Sequence, residues 1–191
     1  MISLTLTDTL ILVIMAAIIC MYVRRYYAEV EYMVSHVDGR NYLVRKMPDN
    51  QEAADRLALL NQKLSKLVQH VSTAFADNPD ALRLAKNFNP DNVSEGGMEN
   101  GYTSYSVNKG ERIVMCIRQR DGSFVDEDVV MYVAVHELAH LMTAEVGHTP
   151  TFWANFRFLL REAIEANLYK VVDFAEHPRD YCGIKIGSSV I

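Results

Sequence analysis

A His-Glu-x-x-His pattern at positions 136 to 140 constrains this chain more than any other feature of its sequence. Residues four apart share one face of an α-helix, so His136 and His140 can direct their imidazole nitrogens at one point. Two imidazoles at this spacing are typical ligands of Zn²⁺. Glu137 lies about 100° further round the helix, where its carboxylate can take a proton from a water whose pKa zinc lowers to about 7. The pattern therefore predicts a zinc site with Glu137 as general base.

The flanking residues predict a helix over 129–146 with one face for packing and one for the site. Apolar side chains recur at steps of four and three roughly opposite the histidines, namely Met131, Val135, Leu138 and Met142. The acidic residues at 126–128 suit the positive N-terminal end of a helix, and Gly147 is a typical helix stop. The alternative is a His-Glu-His cluster on a solvated helix face, which so apolar a helix does not favour.

The third ligand has two candidates. His148 follows Gly147 just beyond the predicted helix, where the chain can turn back and leave a fourth coordination position open for catalysis. The spacing from His140 to His148 does not fit the metzincin pattern. Glu162, on the next predicted helix, would instead give two histidines and one carboxylate. We favour His148 and keep Glu162 as the alternative.

These residues carry a family resemblance. The HELAH motif, followed by GHTPTFW at 147–153, resembles the WLM and SprT-like metallopeptidases, which share H-E-x-x-H, a later histidine ligand and an aromatic residue shortly after it. Position by position, the resemblance implies His136, His140 and His148 as zinc ligands and Glu137 as base. It also implies a zincin-like fold and hydrolysis of peptide bonds in a protein or peptide substrate.

The resemblance extends over 108–191, which is similar to WLM-type peptidases of large DNA viruses. This chain differs from the usual WLM pattern in its longer gap between the second and third histidines. Some relatives act on proteins bound to DNA. However, a formal net charge of -5 argues against nucleic acid as a partner.

The N-terminal segment predicts a membrane anchor. Positions 9–23 carry no charge, and extension back to Leu4 gives the roughly 20 residues that span a bilayer. No basic residue precedes the segment, as a cleaved signal peptide would require. A buried soluble helix is the other alternative, but no polar face interrupts 9–23. Because Arg24 and Arg25 follow directly, the positive-inside rule predicts a single-pass protein with its catalytic domain on the cytosolic side, or in the interior of a virion.

The cysteine content disfavours a disulfide framework and a cysteine zinc site. Cys20, Cys116 and Cys182 are odd in number and lack C-x-x-C spacing, so we expect a reducing compartment. A bond between Cys116 and Cys182 stays open.

The remaining segments predict the scaffold of the site. Turn signals at 38–39 and 108–110 predict two hairpins, and the second supplies an edge strand that can pair with an extended substrate. A helix over 48–75 is a scaffold or a coiled-coil seam, and 89–101 reads as a surface loop. Tyr181 and His177 are candidates for stabilising an oxyanion, and the tail over 181–190 is a candidate final strand.

The sequence therefore predicts an α+β, zincin-like domain over 28–191, with an active-site helix and a small antiparallel sheet, after an N-terminal transmembrane helix within 1–27. Its expected activity is that of a membrane-anchored zinc metallopeptidase with Zn²⁺ as cofactor. The alternatives are a catalytically idle protein that zinc stabilises and a membrane-tethered binding module without metal. The sequence carries no signal for the oligomeric state.

Overall fold

The computed structural model describes residues 5–96 and 103–191 as a mixture of helices and small sheets, which confirms the predicted α+β class at that level. The helices of this part are α1 (Leu6–Glu29), α2 (Asn50–Ala74), α3 (Pro79–Asn87), α4 (Glu127–Met142) and α5 (Pro150–Glu165). Its strands are β1 (Val30–Val34), β2 (Asn41–Arg45), β3 (Val93–Glu95), β4 (Tyr105–Val107), β5 (Arg112–Met115), β6 (Arg179–Tyr181) and β7 (Ile184–Ile186).

Helix α1 is long and apolar enough to span a membrane. Thr5 and Asp8 form a capping box at its start, which satisfies the first free N–H groups. The candidate span, Leu6–Tyr27, has no buried residue, and at 1.5 Å per residue it matches a hydrocarbon core of about 30 Å. The helix continues to Glu29 and passes directly into β1, so the predicted first hairpin (β1 with β2) begins where the helix ends.

A mixed three-stranded sheet stands beside the site, with the strand order β3-β5-β4. Strand β5 pairs with β4 in antiparallel and with β3 in parallel, so the expectation of a purely antiparallel sheet was wrong. The loop prediction for 89–101 was also wrong where it covers β3, whose residues are all buried. The later part of the predicted loop, from 97 to 101, lies outside the described residues, as does Tyr102 of the second predicted hairpin. Strand β4 forms one edge of this sheet, as expected.

Helix α2 is a scaffold helix of the core. Its apolar stripe is completely buried against the other elements, with Leu57, Leu60, Leu64, Leu67 and Val71 as members. Because this stripe is already covered within the chain, it cannot also serve as the coiled-coil seam that the sequence left open.

A disulfide joins Cys116, just after β5, to Cys182, between β6 and β7. The pairing that the cysteine count left open is therefore the one that the structure contains. Strands β6 and β7 pair with each other and do not extend the three-stranded sheet. Gln119 bonds both to the Asp180 carbonyl and to the Cys182 N–H. The disulfide and Gln119 thus fasten this C-terminal hairpin beside the end of β5.

Arg118 is a fully buried cation two residues beyond Cys116. Its Nε donates to Glu95 at 2.9 Å and its guanidinium also donates to Asp49. The Phe124 ring lies 4.2 Å from the guanidinium carbon. Burial raises the pKa of Glu95, and the arginine and the Arg45 N–H act against that rise. This ion pair explains how a strand as polar as β3 is buried, because Glu95 is compensated inside the core.

Candidate metal centre

Three imidazoles converge at one end of the α4–α5 pair. The nearest ring nitrogens of His136, His140 and His148 all lie within 4.8 Å of one another. The Nε2 atoms of His136 and His148 are 3.1 Å apart. His136 and His140 are partly buried and His148 is exposed, so the cluster opens to solvent on one side. Three imidazoles with an open side suit a catalytic zinc, and zinc ligation by them stays a prediction.

Helix α4 ends four residues before the predicted end, which lets the chain return to the site. It stops at Met142, since the backbone of Thr143 is extended, and both the N–H and the hydroxyl of Thr143 bond to the Ala139 carbonyl. Gly147 is therefore not the helix stop. It instead turns the chain with a φ of +86° immediately before His148. Thr149 then caps α5 by accepting a hydrogen bond from the Phe152 N–H.

The aromatic ring of Phe152 forms the floor of the cluster. Its centroid lies 4.8 Å from that of His136, 4.3 Å from that of His140 and 4.7 Å from that of His148. Phe152 is fully buried, and Trp153 covers the outer side of His148 at 5.5 Å. This packing restricts the imidazole rings to orientations in which their nitrogens face one another.

The environment keeps the imidazoles of His136 and His140 neutral. Burial, together with the neighbouring His140 and His148, lowers the pKa of His136 to about 3. The pKa of His140 falls to about 4, again chiefly through burial. A metal ligand must be a neutral imidazole, so the donor set fits zinc chemically.

Glu137 lies beside the cluster and is 4% exposed. Burial raises the pKa of its carboxyl group to about 7, while hydrogen bonds from the hydroxyl and N–H of Ser106 oppose that rise. Ser106 belongs to the edge strand β4. A carboxyl group with a pKa near neutrality can both accept and return a proton at physiological pH.

Glu162, the alternative third ligand, is engaged elsewhere. Its Oε2 lies 2.8 Å from Nε2 of His70 on α2. It is not part of the histidine cluster. The geometry therefore favours His148, and His70 is the structural partner of Glu162.

The site opens into a cleft of about 760 Å³ between α4, β4 and the C-terminal hairpin. Tyr181 lines this cleft, and its hydroxyl bonds to Ser104 at 2.5 Å. Burial raises the pKa of that phenol well above its usual range. His177 is exposed and is not among the described lining residues. Of the two oxyanion candidates, the structure therefore brings only Tyr181 to the cleft.

Residues 40–186 match the family model of the WLM domain. The chain belongs to the WLM family. The matched segment begins after α1, so the apolar helix precedes the WLM domain proper.

Viral proteins are similar to this WLM chain. "Uncharacterized protein R325" of Acanthamoeba polyphaga mimivirus is 31% identical over 186 residues, which cover 95% of this chain and 94% of that protein. "Uncharacterized protein 136R" of Invertebrate iridescent virus 6 is 32% identical over 80 residues, or 40% of this chain and 44% of that protein. A similarity to proteins of large DNA viruses is thus confirmed, and with the mimivirus protein it extends over nearly the whole chain.

A solved structure shares the fold of the WLM domain. The crystal structure of a Wss1 mutant from Saccharomyces cerevisiae has a TM-score of 0.50 and 18% sequence identity. The match covers 66% of this chain and 91% of that chain. At this identity the likeness concerns the fold alone.

Sequence reasoning missed two residues that shape the WLM site. Phe152 was not assigned a role at the site, although it contacts all three imidazoles. Lys109 was noted only as part of a turn, but its ammonium group bonds to carbonyls at the end of α4. The Asn-Lys-Gly turn is the signal in the sequence that could have indicated a special role for Lys109. In the structure its three residues have φ of +45°, +58° and +118°.

Proposed function

We propose that this WLM domain is a zinc-dependent, zincin-like peptidase that α1 holds at a membrane. The observation that supports the peptidase most strongly is the convergence of His136, His140 and His148 beside the buried carboxyl group of Glu137. In this proposal the three imidazoles hold the metal. When bound, zinc supplies Lewis-acid polarisation of a water and of the substrate carbonyl.

The residues of the chain carry the proton transfers. Glu137 accepts the proton of the attacking water at its carboxylate and then donates it to the amide nitrogen that leaves. Its pKa of about 7 suits both steps, because neither protonation state is strongly disfavoured at neutral pH. The Tyr181 hydroxyl, which lies in the same cleft, is the group we assign to hydrogen-bond the developing oxyanion.

The cleft suits an extended peptide with large apolar side chains. Strand β4 lies at the edge of the described sheet along the cleft, so the part of its backbone that does not bond to Glu137 can pair with a substrate strand. Val133, Ile184 and Ile186 line the cleft, and Ile184 is 52% exposed. Burying apolar substrate groups against them contributes about 25 cal/mol per Å². The substrate is therefore proposed to be a protein or peptide segment without secondary structure at the cleavage site.

The membrane location rests on α1. The span Leu6–Tyr27 has its basic residues, Arg24 and Arg25, only at its C-terminal end. By the positive-inside rule this favours a domain on the cytosolic side or in the interior of a virion. A disulfide persists where thiols are not reduced, and the Cys116–Cys182 bond therefore favours the virion interior.

Glu137→Gln tests the catalytic proposal against an idle protein that merely keeps zinc. The full chain in detergent micelles should cleave an unfolded protein substrate, and the variant should lose about 100-fold or more of that rate while it retains zinc. Equal cleavage by both proteins would refute the role of Glu137. Zinc without cleavage in the parent would favour the idle, zinc-stabilised alternative.

A further inference from the structure

The turn between β4 and β5 directs a lysine at the end of the active-site helix. Lys109 Nζ donates to three backbone carbonyls, those of His140 at 3.1 Å, Thr143 at 2.8 Å and Glu145 at 2.6 Å. An ammonium group has three N–H donors, so each donor has one carbonyl acceptor. Lys109 is partly buried there, and burial lowers the pKa of its ammonium group.

The three acceptors lie on the path from the second imidazole to the third. His140 is itself in the cluster, Thr143 is the residue directly after α4, and Glu145 lies in the segment that leads to His148. One cation therefore ties the last turn of the helix to the segment beyond it. Helix α5 holds the same segment from its other side, where Asn155 donates to the Thr143 hydroxyl and Thr151 to the Glu145 carboxylate.

The backbone that presents Lys109 is itself pressed against the end of α3. A Cβ on the adjacent Gly110 would lie 2.1 Å from the Asn87 carbonyl oxygen, so only glycine fits at that contact. Asn87 in turn donates to the Leu141 carbonyl, and Asn92 donates to the Gly110 carbonyl. The turn and the end of α4 are thus fixed relative to each other.

We propose that Lys109 is a positioning residue for the metal site, which holds the segment over 143–147 in the path that brings His148 to His136 and His140. The inference rests on the proposed zinc site and does not require peptide hydrolysis. A lysine that merely caps a helix C-terminus would stabilise the fold through the helix dipole. A positioning lysine must in addition affect metal affinity through His148.

A double-mutant cycle separates these two roles. Zinc affinity is measured by competition with a chromophoric chelator, on the full chain in detergent micelles, for the parent, Lys109→Met, His148→Ala and the double variant. We expect Lys109→Met to weaken zinc binding by about tenfold or more. In the His148→Ala background the same change should cost less than about twofold, because the ligand that Lys109 positions is already absent. Lys170→Met, at an exposed lysine after α5, is the matched control and should leave affinity unchanged.

Equal losses in the two backgrounds, or no loss in either, would overturn the positioning role. If Lys109→Met does not fold, Lys109→Arg extends the test. This variant keeps the positive charge, but its planar guanidinium group cannot reproduce the three hydrogen bonds of the ammonium group to the backbone carbonyls. Its Co²⁺ form should show a ligand-field spectrum shifted toward that of His148→Ala, and a spectrum identical to the parent's would overturn the proposal. A parent that binds no zinc would overturn both this inference and the proposed function. Coupled zinc affinities in a parent that cleaves no peptide would sustain the inference while the peptidase proposal fails.

Discussion

The disulfide that fastens the C-terminal hairpin beside the cleft should contribute much of the stability of the domain. Replacing Cys116 and Cys182 with alanine removes a link between residues 66 apart in sequence. Closing a loop of that length withdraws about 15 cal/mol/K of chain entropy from the unfolded state. At 25 °C the double variant should therefore lose about 4 kcal/mol of the free energy of unfolding.

The fluorescence of Trp153 provides the assay. It is the single tryptophan of the chain, and its ring lies 5.5 Å from that of His148, so its signal follows unfolding of the domain and not of α1. With a urea dependence of about 2 kcal/mol per molar, the loss should lower the urea midpoint by about 2 M. Cys20→Ala, at an exposed cysteine of α1, is the control and should not shift the midpoint.

Two results would refute this reasoning. One is a midpoint shift below about 0.5 M in the double variant. The other is a thiol assay on the unfolded, unreduced parent that finds Cys116 and Cys182 reactive as well as Cys20.

Three further predictions concern charge. In the Glu137→Gln variant without zinc, the low pKa values of His136 and His140, about 3 and about 4, should cost stability as pH falls below the unfolded value of about 6.5, by about 3 kcal/mol at pH 5. The variant is needed because the raised pKa of Glu137 would add stability over the same pH range and offset part of the loss. Urea unfolding in a chelator measures this, and stability that stays constant or rises from pH 7 to pH 5 would contradict it. Arg118→Met should lower the free energy of unfolding by about 3–5 kcal/mol, because it leaves Glu95 buried without its cation. If this single variant loses less stability than the double variant Arg118→Met with Glu95→Gln, the ion-pair account is contradicted. Ile184→Lys should leave zinc content intact but reduce cleavage beside large apolar residues by about tenfold. Unchanged peptide selectivity would disprove the role of the hairpin in the cleft.

The local elements and the histidine cluster could be predicted because their signals are local. Helical spacing relates His136 to His140, and Thr149 with Pro150 marks the start of α5. The leucine stripe of α2 has the period of a buried helix face. In each case residues a few positions apart determine the outcome, so a single sequence contains the information.

The rest depends on contacts between distant residues. The sequence of β3 is typical of a polar loop. The strand is buried only because Glu95 pairs with Arg118, which lies far away in the sequence. The cysteine count could not reveal a bond across 66 residues. Helix α4 ends at Met142, where Lys109 reaches it from another element. Each error arose where a tertiary contact outweighed the local pattern.

The content of zinc per chain tests the central claim most directly. The purified full chain should contain about one zinc, which His148→Ala should remove or greatly weaken and Glu162→Ala should leave in place, because Glu162 pairs with His70. Loss of zinc only with Glu162→Ala would contradict the three-histidine site. A folded parent that contains no zinc and takes up none would contradict the metallopeptidase account as a whole.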